Sequence, residues 1–190
     1  MRKSKIFILL LTIGLIPESL VSAEELNLNL GASADFYYTY DLNKPNNGTA
    51  ISNRNYDNQH NDFTLNLFQL NISASRKNLS LYAELDYGEF ATQNADSGSA
   101  LNLAQAYMSY NLSESLSLKA GKMYTHVGYE VAKAIDNWNY SRSFAFTLGG
   151  PFWHEGVALN YSKNSFGAGL YVYDRWDGRS DNNEGKTVGT

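Results

Sequence analysis

From Glu25 onward apolar and polar residues alternate with a period of two, the spacing at which successive side chains of a strand point to opposite faces. Asn78 to Gly88 shows this most cleanly. Leu79, Leu81, Ala83, Leu85 and Tyr87 share one face, and Ser80, Tyr82, Glu84, Asp86 and Gly88 share the other. Asn102 to Leu112 repeats the pattern, with Ala104, Ala106, Met108, Tyr110 and Leu112 against Gln105, Tyr107 and Ser109. Leu116, Leu118 and Ala120 oppose Ser117, Lys119 and Gly121, and Val157, Leu159 and Tyr161 oppose Gly156, Ala158 and Asn160. Phe166, Ala168, Leu170 and Val172 oppose Gly167, Gly169, Tyr171 and Tyr173. Leu26 to Tyr40 opens with leucines alternating with asparagines and then turns aromatic. Phe63 to Ala74 changes phase midway, from Phe63/Leu65/Leu67 to Phe68/Leu70/Ile72, as a β-bulge would require. The result is seven strands of about ten residues, long enough to cross a bilayer at a tilt of about 45°.

The connections separate a soluble sandwich from a membrane barrel. Asp41–Asn61, Glu89–Ala100, Thr125–Phe152 and Asp174–Lys186 are long, whereas Ser75–Lys77, Ser113–Ser115 and Lys163–Ser165 are short. Strict alternation is expected of outer-membrane barrels, with tight turns on one side and extended loops on the other. A sandwich has no reason to gather its long loops at one end. Ala104, Ala106 and Ala168 are also too small to fill a sandwich core, yet cost little against lipid. Aromatic residues near the strand ends (Phe36, Tyr37, Tyr87, Tyr110, Tyr124, Trp153, Tyr161 and Trp176) fit interfacial girdles. The expected fold is therefore all-β: an antiparallel transmembrane β-barrel, an up-and-down meander of seven strands with an eighth beginning at Thr187. An odd count and an ending on Gly189-Thr190 further suggest the N-terminal portion of a larger barrel.

Composition narrows the partners. Only 18% of the 190 residues are charged, the formal net charge is −4, and no Lys/Arg cluster occurs beyond the first five residues. Nucleic acid is thus not expected as a partner, since phosphate binding needs a basic face. The absence of cysteine excludes disulfides and thiolate-bound metals. Met1 to Ala23 reads as a signal peptide: Arg2, Lys3 and Lys5, then the apolar run Ile6–Ile16, then Val21-Ser22-Ala23 before the cut. Residues 24–190 would form the barrel domain. Removing the leader takes away three basic residues and Glu18, leaving 12 basic against 18 acidic side chains. That surplus suggests a mild cation preference, with Asp57, Asp62, Asp96 and Glu184 screened in the loops within about 8–10 Å.

A family likeness lies in the residues around the longest loop. Gly121-Lys122-Met123-Tyr124-Thr125, Gly128-Tyr129-Glu130, Asn137-Trp138-Asn139-Tyr140-Ser141-Arg142-Ser143, then Pro151, His154, Gly156 and Val157 follow at characteristic spacing. With Trp176-Asp177-Gly178 and Asp181-Asn182-Asn183, the chain resembles the β-barrel porin-2 family of OmpL-like outer-membrane proteins over about residues 31–190. The resemblance implies passive diffusion without naming a solute, and it brings no catalytic residues.

The remaining chemistry is sparse. His60, His126 and His154 lie in or beside long loops. His126 and Glu130 are four apart and His154 adjoins Glu155, but two histidines without converging carboxylates do not make a zinc centre. Solvated rim residues are the better reading. No Gly-x-Ser-x-Gly occurs, and the Asp/Asn-rich stretch 174–184 lacks calcium-loop spacing. Neither an enzyme, nor a metal site, nor a cofactor is expected.

The polar strand faces are more informative. Glu84, Asp86, Gln105, Tyr107, Lys119 and Asn160 point away from the apolar faces, and are candidates to line a pore. In a large barrel they would face water; in a small one they would form an internal salt-bridged plug. The loop Thr125–Phe152 carries both signs of charge at Glu130, Lys133, Asp136 and Arg142, the candidates for a constriction. Val131, Ala134/Ile135 and Trp138 have the spacing of a short helix that could be anchored by Ile135 and Trp138. Either the loop packs on the rim, or it folds inward and sets Lys133 and Arg142 opposite Glu84 and Asp86. The expected function is a porin-like channel passing small hydrophilic solutes or ions through the outer membrane, with lipid around it and a homo-oligomer left open. The alternative is a small non-conducting barrel acting as an adhesin or structural protein through its loops.

Overall fold

The computed structural model describes residues 25–43, 50–51, 54–94, 101–177 and 185–190. The leader segment 1–23, the loop charges Asp96 and Glu184, and the greater part of the stretch 174–184 lie outside the described residues. Eight strands follow in order: β1 (Asn27–Thr39), β2 (Asp62–Arg76), β3 (Leu79–Tyr87), β4 (Leu101–Asn111), β5 (Leu116–Tyr124), β6 (Trp153–Lys163), β7 (Phe166–Tyr173) and the short β8 (Thr187–Gly189). Each pairs antiparallel with the next in a single sheet, with β1 and β8 at its edges. Alternate connections are short, and two of them, Lys77-Asn78 and Asn164-Ser165, need only two residues because Lys77 and Asn164 adopt left-handed backbone at φ 51° and 55°. All the long connections therefore fall at one end of the sheet. Within the first of the strand-joining loops after β3, residues 89–94 form one short helix, α1, which periodicity did not foreshadow.

The sheet is inside out by the standard of a water-soluble domain. On its inner face Glu84 is 0%, Gln69 1% and Asp86 2% exposed, while on its outer face Leu30 is 71% and Leu118 42% exposed. Ile72 and the leucines of the middle rows (Leu81, Leu118, Leu159, Leu170) lie on that outer face. Outward aromatics cluster toward both ends: Phe36, Tyr38, Phe63 and Tyr87 beside the long loops, and Tyr110, Tyr161 and Phe166 beside the short turns. Tyr37, Tyr124 and Trp153 do not belong to these girdles. They turn inward, with Tyr37 and Trp153 buried, because the long loops close over that end of the inner face.

Two bulges correct the strand phases. Asp35 faces Leu67 but Phe36 faces Leu65, so Asn66 is the extra residue of β2, and Leu67 moves from the outer to the inner face. That is the phase change visible in the sequence. A second shift was not visible: Glu84 faces Gln105 and Leu85 faces Leu103, which makes Ala104 a buried bulge residue rather than a member of the outer face. Its small side chain disguised the break in alternation.

Across the inner face one register row reads Tyr82, Tyr107, Gly121, Gly156, Tyr173. The glycines are required there. Gly121 has φ +130°, and a Cβ on it would lie 2.3 Å from the Ala106 carbonyl oxygen; one on Gly156 would lie 2.2 Å from that of Val172. Tyrosines lean over the bare backbone and replace the missing side chains.

Candidate functional site

The inner face of β3 carries Glu84 and Asp86 two residues apart, so both carboxylates point the same way. Their neighbours are supplied by register. Gln69, opposite Asp86 on β2, donates from Nε2 to Glu84 at 3.2 Å and to Asp86 at 3.0 Å. The Tyr82 hydroxyl donates to Glu84 at 2.6 Å, the Tyr124 hydroxyl to Asp86 at 2.9 Å, and Gln105 Nε2 to Glu84 at 3.4 Å. Gln105 also accepts the Tyr124 main-chain N–H at 3.1 Å. Two buried anions are thereby held by donors on four different strands, which is how such charge is kept on a face without collapsing it.

The loop 125–152 lies over this face. Lys133 places its Nζ 3.2 Å from Glu84 Oε2, and the Tyr140 hydroxyl donates to Asp35 on β1 at 2.9 Å. A segment rooted between β5 and β6 thus reaches as far as β1 and β3. Asn66, the bulge residue, donates to the other oxygen of Asp35 at 2.8 Å. Between loop and wall remains a cavity of about 420 Å³, lined on its polar side by Ser33, Asp35, Gln69, Lys133 and Tyr140. A hydrophobic cluster supports the loop from behind: Tyr56 from the first long loop, Phe90 from α1 and Ala132 pack around Leu67, with Phe146 and Phe152 against them.

The other residues singled out from the sequence are placed as follows. Tyr107 stacks on Tyr82 with ring centroids 5.2 Å apart, and Lys119 sits 4.4 Å over the Tyr107 ring. Asn160 lies on the inner face of β6 between Ser117 and Gly169. Glu130 accepts the Ser143 N–H at 3.0 Å, and Asp136 is exposed in a 3₁₀ turn, Ala134–Asp136.

Arg142 does not face the wall carboxylates as expected. Its guanidinium donates to the carbonyls of Val131, Ala132 and Tyr140 and staples the loop to itself. The helix suggested for Glu130–Trp138 shrinks to that single turn, and Ile135 and Trp138 are 88% and 86% exposed, so neither anchors it. Ala132 does, buried in the cluster with Tyr56, Leu67 and Phe90. The residues the sequence reading passed over are Gln69, Asp35, Asn66 and Tyr140. Alternation carried through the bulge would have flagged Gln69; nothing local marks Tyr140.

Among the described residues no three His, Asp or Glu side chains converge as a metal site would need. An open-ended meander with a polar, hydrogen-bonded inner face, an apolar outer face and an inward loop defines a porin-type outer-membrane β-barrel protein. The family comparison agrees: the chain belongs to the family described as "Putative beta-barrel porin-2, OmpL-like", whose model matches residues 27–190. No curated protein and no solved structure matches the chain.

Proposed function

We propose that the protein is a water-filled pore in which small hydrophilic solutes cross the outer membrane by passive diffusion, narrowed by the loop 125–152. The observation that carries this reading is the Lys133–Glu84 contact, which lays a loop of both charge signs against a polar wall and leaves a gap beside it where Asp35, Gln69 and Tyr140 meet Phe36, Leu67 and Ile135. No covalent step is involved. A polar lumen lowers the barrier to a hydrated solute, and the charges at the narrowest section set preference. Asp35, Glu84 and Asp86 against Lys133 leave that section acidic, which supports a cation preference. Glu84, Asp86, Gln105, Tyr107, Lys119 and Asn160 would be its wall, and lipid would cover Leu118, Leu159 and Leu170.

A second reading keeps one observation in its favour. The Tyr56–Phe90–Ala132 cluster knits three long loops into a packed cap, as a non-conducting barrel that binds a surface partner would also require. Single-channel recording of the full protein in planar bilayers separates the two. Stepwise conductance that rises when residues 130–139 are deleted supports a constricted pore, whereas a folded, heat-modifiable barrel without ion steps overturns it.

A further inference from the structure

The two ends of the long loop meet at a pair of histidines. His126 is the second residue of the loop and His154 the second residue of β6, and their ring centroids are 5.9 Å apart. Each imidazole is stacked on a tyrosine of β7: His126 on Tyr171 at 3.7 Å and 11°, and His154 on Tyr173 at 3.9 Å and 3°. The Tyr173 hydroxyl is 3.2 Å from His126 Nδ1, and the Thr125 hydroxyl is 3.0 Å from His154 Nε2. The Thr125 N–H donates to the Phe152 carbonyl at 3.0 Å and closes the stem. Thr125, His126, His154 and Tyr173 thus gather at the loop root around these two rings.

We infer that His126 and His154 form an acid-sensitive stem, whose joint protonation loosens the root of the loop 125–152 while Lys133, Tyr140 and Ala132 keep its middle on the inner face. Neutral imidazoles stack on tyrosine without charge. A first proton is tolerated, since an aromatic face beneath a cation is attractive. The second cation must then form on His154, which is only 1% exposed, with its ring 5.9 Å from the first. Few groups among the described residues can offset it. β7 presents only Tyr171 and Tyr173, and β8 presents Gly189, whose Cα side lies against the His126 ring. The 174–177 segment brings Asp177, already accepting the Phe152 N–H at 2.9 Å, and the main chain beside Arg175. Asp174 is paired with Lys186 at 3.2 Å, and Glu155 alternates to the opposite face of β6. Among the described residues one carboxylate thus faces two imidazoles. Burial also lowers the His126 pKa from its ordinary value of 6.5, so neutral protein is the form the fold selects, and the transition falls on the acid side of that value.

The chain has no cysteine, so Val127→Cys gives a single labelling position at the half-buried loop root, next to His126. A nitroxide attached there at pH 7.5 should be restrained, and become mobile as pH is lowered to 5, with a midpoint below 6.5. In His126→Phe, which keeps the stack on Tyr171 but cannot take the proton, the spectrum should stay restrained at both pH values. Phe replaces an exposed ring of similar size, and heat modifiability verifies that the variant folds. A label whose mobility is the same at pH 7.5 and 5, or an acid response that persists in His126→Phe, overturns the stem. Loosening of the stem is read directly from the label, so the result does not depend on whether the protein conducts.

Discussion

At the scale of single residues the Lys133–Glu84 pair joins structure to function. Exposed ion pairs contribute about 0–1 kcal/mol, and removing one partner of a fully buried pair costs about 3–5 kcal/mol. Glu84 is fully buried but Lys133 is partly exposed, and Glu84 keeps the donors Gln69, Tyr82 and Gln105 when Lys133 is lost. Lys133→Ala is therefore expected to cost on the order of 2 kcal/mol, between those limits. Urea unfolding in lipid vesicles measures it. In reversal-potential measurements the same variant should shift toward cations, because it uncovers Glu84 and Asp86. Arg142→Ala should leave that potential unchanged, since its charge is turned to the loop's own carbonyls, and should loosen the loop instead. An equal shift in both variants would mean that net loop charge, and not position, sets preference.

At the scale of elements, the alternation of each strand is legible but its interruptions are only partly so. A bulge shows in sequence when it moves a large residue across the sheet, as with Leu67, and hides when the extra residue is as small as Ala104. The glycine–tyrosine row is a property of registered neighbours, not of any one strand. Gly156→Ala should destabilise the protein by about 1–3 kcal/mol, the range for forcing extra volume into a packed site, because its Cβ would press on the Val172 backbone and the Tyr173 ring. The same substitution at Gly149, where nothing lies within 4 Å, should cost far less. Comparable unfolding midpoints for the two variants would contradict the packing described for the row.

At the scale of the whole molecule, the defining property is that polar side chains are enclosed and large apolar ones are displayed. In lipid this is the stable arrangement, since backbone groups pair between neighbouring strands of the meander and leucine meets hydrocarbon. Leu159→Arg, in the middle of β6 on the outer face, is expected to cost about 2–4 kcal/mol of stability in vesicles. Asn160→Arg, one residue on but on the inner face, should cost much less if that face is hydrated. Similar losses for the two would mean that the inner face is a dry plug, and would favour the non-conducting reading.

What the residues by themselves determined is whatever depends on period and spacing: the strands, their inner and outer faces, the alternation of short and long connections, and the wall carboxylates Glu84 and Asp86. These are legible because a strand's geometry repeats every two residues, and because lipid rewards one unbroken apolar face. Family likeness was legible around residues 121–157 for the same local reason. Tertiary structure alone decided where the long loop goes. Lys133 reaches Glu84 while Arg142, nine residues on, turns back to its own backbone, and no pattern within 125–152 distinguishes the two charges. Tyr140 finds Asp35 across 105 positions of sequence, and His126 meets His154 across the loop's full length. Such pairings are set by loop closure and by which wall happens to stand opposite, quantities that exist only once the sheet has formed.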